Sequence, residues 1–64
     1  MQVGDRVTVT CTDTGAEHQG VVERAGRDTV SVSINPRAPL IVLRNTRKNL
    51  WVGNAAGLEF IVEE

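Results

Sequence analysis

The sequence predicts an all-β domain: one small barrel of five or six antiparallel strands with no substantial helix. Three observations lead there. Apolar residues recur at every second position through much of the chain, the period of a strand with one buried face. Clusters of Gly, Pro, Asn and Asp punctuate these runs at short intervals, as in a meander of strands. No stretch of useful length carries apolar residues at helical spacing. With 64 residues, the chain makes a single domain over residues 1–64. A flat sheet of this size would leave one face without a core, and closure into a barrel covers it.

The elements follow in order. Val7, Val9 and Cys11 alternate with Arg6, Thr8, Thr10 and Thr12, which gives a first strand over Asp5–Thr12 with a threonine row on its outer face. Asp13–Ala16 is loop chemistry. Gln19–Ala25 and Thr29–Ile34 form a hairpin about the Gly26–Asp28 turn. In the second of these, Val30 and Val32 alternate with Ser31 and Ser33. Pro36 and Pro39 then interrupt the sheet, because proline has no N–H to donate to a ladder. Leu40–Asn45 is a fourth strand, and Leu50–Val52 a short extra one. Gly53–Gly57 reads as a turn, and Leu58–Val62 closes the wall. The core predicted from this pattern is Val7, Val9, Val22, Val30, Val32, Leu40, Val42, Trp51, Leu58 and Phe60, with Cys11 also turned inward.

Composition limits what the domain can be. A chain this short buries only about 60% of the surface its unfolded form exposes, so its stability is small. Cys11 is the only cysteine and His18 the only histidine. No internal disulfide can form, and four ligands for a structural zinc cannot be assembled from these two. Self-association remains as a source of extra stability. A lone cysteine suits a reducing compartment. The start of the chain has no basic segment followed by an apolar run, and no apolar stretch is long enough to cross a membrane as a helix. A cytoplasmic protein without a membrane partner is expected. Net charge is −1, so no global basic field attracts nucleic acid. The charge is nonetheless uneven. Residues 29–58 carry Arg37, Arg44, Arg47 and Lys48 and no acid, between two acidic ends.

The run Gly4-Asp5-Arg6-Val7-Thr8-Val9, followed by Gly20-Val21-Val22 and Val30-Ser31-Val32, resembles the opening of an SH3-like small barrel. More narrowly it is similar to the KOW type found in ribosomal proteins and transcription elongation factors. The resemblance covers residues 4–34, about half the chain. It implies an SH3-like fold and binding to RNA. The KOW pattern has a basic residue and a glycine in the loop before the second strand. This chain has Ala16-Glu17-His18-Gln19 there, acidic to neutral, with Gly15 displaced.

Catalytic chemistry is not indicated. Cys11 continues an inward period and reads as a small buried hydrophobe. His18 lies in a polar segment with no third group marked out to orient it. Phosphate-cradling glycine loops, nucleophile elbows and paired metal carboxylates are missing. No cofactor and no metal are expected, and the domain reads as a binding module rather than an enzyme. Two surfaces compete for that role. Leu40–Leu43 is apolar on both faces of its strand, whereas a barrel wall needs only one. Val21 and Ile61 pose the same surplus. Ile41, Leu43, Ile61 and Val21 are therefore the expected contact surface for a protein partner or a second copy, with cover by a loop as the alternative. The second surface is Arg37, Arg44, Arg47 and Lys48 near Trp51, which would neutralise phosphates and stack a base of RNA or single-stranded DNA. Trp51 has a competing use as the main filler of a small core. The first surface is preferred, because net charge is negative and the KOW-type basic loop is missing.

Overall fold

The computed structural model describes residues 1–64. It contains six antiparallel strands and no helix: β1 (Arg6–Cys11), β2 (Glu17–Ala25), β3 (Thr29–Ser33), β4 (Ile41–Arg47), β5 (Leu50–Ala55) and β6 (Leu58–Glu63). Each strand pairs with the next in sequence, and β6 returns to β1 to close the barrel. The turns are short because their residues suit them. Ala56 and Gly57 both take positive φ between the paired Ala55 and Leu58, as a two-residue hairpin turn requires. Asn49 also takes positive φ, which asparagine tolerates better than most side chains. The irregular register of β4 against β5 lies beside it. There the Asn45 side-chain amide donates to the carbonyls of Arg47 and Leu50. In the longest loop, Asn35 Oδ1 accepts from the N–H groups of Arg37 and Ala38, which folds the Pro36–Pro39 segment back on itself.

The core consists of Val9, Cys11, Val22, Val30, Val32, Ile41, Leu43, Trp51, Phe60 and Val62. Val7 and Leu58, expected at its centre, are half-buried at its edge. One strand differs from expectation in phase. Ile41 and Leu43 are 3% and 0% exposed, whereas Leu40 and Val42 are 43% and 54% exposed. The pairing explains the inversion. Val32 lies opposite Ile41 and Val30 opposite Leu43, and residues directly opposed in an antiparallel pair share a face. Since Val30 and Val32 point inward, Ile41 and Leu43 must as well. Ile41 and Leu43 are thus core residues and not a contact surface.

The fifth strand also differs. It is a full wall over Leu50–Ala55, with only Ala56 and Gly57 left to the turn. Its Gly53 passes so close to β4 that a Cβ there would collide with the carbonyl oxygen of Val42 and crowd the Leu43 backbone. On the other side of the barrel, a Cβ at Gly20 would lie 2.5 Å from Val32 Cγ1. These two positions let the sheet curl tightly enough to close around ten side chains.

Candidate binding face

The outer face of β2, β3 and β4 brings together the exposed apolar groups and part of the basic set. Register builds it row by row. Arg24 lies opposite Ser31, and Ser31 lies opposite Val42, so one row reads Arg24, Ser31, Val42. The adjacent row begins with Val21 opposite Ser33. Leu40 continues the β3–β4 register one residue beyond the paired stretch, at the level of Ser33. On the other flank, Thr29 lies opposite Arg44, and Arg44 lies opposite Val52. The β2–β3 turn is tied to this flank, since the Asn45 N–H donates to the Asp28 carbonyl. The result is a floor of Thr29, Ser31 and Ser33, with Val21, Leu40 and Val42 raised on it and Arg24 and Arg44 beside them.

The cations on this side of the molecule are free. The one ion pair in the structure joins the α-amino group of Met1 to Glu64, at 3.8 Å. No arginine or lysine side chain has a carboxylate partner, so Arg24, Arg27, Arg44, Arg47 and Lys48 present their full donor sets to solvent. A guanidinium in that state can take a carboxylate or phosphate in two parallel hydrogen bonds.

The residues expected to form a site are distributed as follows. Val21 is exposed on the face. Ile61 is half-buried on the far side of the barrel, between Thr10 and Val52. Arg44 is on the face, Arg47 and Lys48 lie at the β4–β5 turn, and Arg37 is exposed in the β3–β4 loop. Trp51 is in the core, and its indole N–H donates to Glu64 Oε1 at 2.7 Å. Phe60, the other ring, is buried too. No aromatic side chain is therefore available to stack on a base. Leu40 and Val42, expected in the core, lie on this face instead, and Arg24, which the sequence does not single out, lies beside them. The inward phase of Val30 and Val32 was the signal that could have exposed Val42, once the β3–β4 pairing was fixed.

Cys11, at the end of β1, is 2% exposed. The Thr14 hydroxyl donates toward its sulfur and, with backbone N–H groups of Thr14 and Asp13, holds the thiol below its ordinary pKa, against the opposing effect of burial. No cluster of three or more His, Cys, Asp or Glu side chains comes together anywhere in the fold. No helix is long and apolar enough to cross a membrane.

Fold and surface together define a class: a six-stranded closed β-barrel with a mixed apolar and basic outer face. No family model, curated protein or solved structure matches this chain.

Proposed function

We propose that this chain is a non-enzymatic binding module that docks a protein segment on the outer face of β2–β3–β4. The single observation behind this reading is the exposure of Val42 and Leu40 beside the unpaired Arg24 and Arg44. Burying one such apolar side chain contributes about 1.5–3 kcal/mol at most. The arginines add orientation and exclude partners of the wrong charge. The partner chemistry this fits is an apolar segment flanked by acidic residues, and a second copy of the chain is one possible source of it. The barrel is compatible with the SH3-like type, a scaffold that carries many unrelated functions. The KOW resemblance would favour RNA instead. Without an exposed ring to stack bases, that reading is left with phosphate contacts alone, so it is the second choice.

The test compares the wild-type chain with Val42→Asp and Leu40→Asp, both checked for native circular dichroism. A captured host protein, identified and then titrated as a purified partner, is expected to lose at least about tenfold in affinity with either variant, that is, about 1.4 kcal/mol. The same chain is titrated with mixed-sequence single-stranded RNA at rising salt. A steep fall of RNA affinity with salt, unaffected by Val42→Asp, would replace the protein-binding reading with the nucleic-acid one.

A further inference from the structure

Strands β1 and β6 close the barrel by two rungs only, Thr10 opposite Ile61 and Cys11 opposite Phe60. Just beyond them, the Thr12 N–H donates to the Glu59 carbonyl at 3.0 Å. In the other direction the two strands part. Continued, this register would pair Val9 with Val62 and then Thr8 with Glu63, and neither pair forms. The only cavity of the molecule, about 440 Å³, lies there, with both Thr8 and Glu63 in its lining. That volume is within the range of ordinary ligand sites.

The bonding groups of both strands are aimed into the gap. On β1, the Asp5 carbonyl accepts from Val22 and the Cys11 N–H donates to Ala16, so these odd-numbered residues face β2. The even-numbered residues, Thr8 among them, face β6, because directions alternate along a strand. On β6, the Glu64 N–H donates to Asn49, which turns Glu64 toward β5 and Glu63 toward β1. The parted strands are thus two sheet edges facing each other across a cleft.

The cleft floor is apolar. Val62 is buried, Val7 is half-buried, and the Met1 side chain is 3% exposed. Its rim is acidic on balance, with Asp5, Glu63 and Glu64 against Arg6 and the α-amino group. Glu64 is already engaged by Trp51 and the amine, and Asp5 by the Gln2 N–H. The Glu63 carboxylate has no partner in the fold.

We propose that this cleft is a second binding site, which takes an extended peptide segment carrying lysine or arginine as an added strand. Main-chain hydrogen bonds to the Thr8 and Glu63 edges supply pairing, as in other strand-addition complexes. The apolar floor takes one alternate side chain, and Glu63 takes the basic one on the opposite side.

The test uses the ¹⁵N-labelled full chain and a short capped peptide alternating Lys and Val. Amide shifts are expected to concentrate on Arg6, Thr8, Val62 and Glu63, and the Thr8 and Glu63 amides are expected to exchange with solvent about tenfold more slowly when bound. Methylating alternate backbone nitrogens of the peptide removes its donors along one edge and should weaken binding about tenfold. Replacing its lysines by glutamates should abolish binding, and Glu63→Lys in the protein should weaken the Lys peptide about fivefold. Val42→Asp should leave it unchanged, which separates this site from the β2–β3–β4 face. The proposal is overturned by equal binding of the methylated peptide, by shifts that map to the β2–β3–β4 face, or by no binding at about 1 mM peptide. Thr8 and Glu63 amides that are both already protected in the free chain would overturn it too.

Discussion

Leu43 and Val42 are neighbours in the chain and occupy opposite environments, one sealed in the barrel and one in water. Their side chains are similar in chemistry, so the difference in cost of removing them reports position alone. Leu43→Ala takes three carbons from a site with no exposed surface. It is expected to cost about 2–5 kcal/mol, the transfer energy plus the cavity left behind. A domain this small has about 5 kcal/mol to lose, so this variant should keep about 3 kcal/mol at the lower cost and be about half unfolded in water at the upper one. Val42→Ala touches no buried group and should stay within about 0.5 kcal/mol of wild type. Urea denaturation of both variants measures the difference. The reverse order would return Leu40 and Val42 to the core and remove the proposed docking face. Trp51 makes a related point. Its ring fills the core while its one polar atom reaches the Glu64 carboxylate, a buried indole satisfied at its rim, and this arrangement removes it from any role in stacking.

At the level of strands, the parts of the fold written most clearly are those where one face is polar. In β1 and β3, valines alternate with threonines and serines, and only one phase can bury the valines. Both strands sit where that alternation predicts. β4 is ambiguous by itself, because Leu40–Leu43 is apolar in either phase. Only its partner β3 decides which side chains point inward, and the make-up of the candidate face follows from that pairing. The sequence alone ends β5 at Val52, because Gly53 and Asn54 are poor strand formers. Gly53 is there for a tertiary reason: β4 crosses where its side chain would be. That difference in neighbours sets an expectation for the two close-approach glycines. At Gly53 the obstacle is backbone, which cannot rotate away, and Gly53→Ala should cost about 3 kcal/mol. At Gly20 the obstacle is Val32 Cγ1, on a buried side chain that is stiff at χ1 but can shift more than backbone can, and Gly20→Ala should cost about 2 kcal/mol. Shifts in denaturation midpoint at constant slope test the ranking. Equal costs would mean that β4 and β5 are further apart at Gly53 than the structure places them.

For the molecule as a whole, the fold is held by its apolar interior and its backbone ladders, and the charges contribute almost nothing to it. The buried set contains no charged or polar side chain other than the thiol, no buried side-chain polar atom lacks a partner, and the single ion pair joins the two termini. Stability should therefore be nearly independent of salt. Raising sodium chloride from about 0.05 to about 0.5 M shortens the screening length from above ~10 Å to a few ångström. It removes no attraction that the folded state depends on. It does relieve repulsion among the unpaired Arg24, Arg27, Arg44, Arg47 and Lys48. The expected change is a gain of less than about 0.5 kcal/mol, read from urea unfolding at the two salt concentrations. Partner affinity at the β2–β3–β4 face should move the other way, because Arg24 and Arg44 attract an acidic segment only while the field is unscreened. A loss of stability above about 1 kcal/mol over the same range would show that the arginines have intramolecular partners in solution. Cations already committed in that way would not be free to recruit a second molecule, and the docking face would keep only its three apolar side chains.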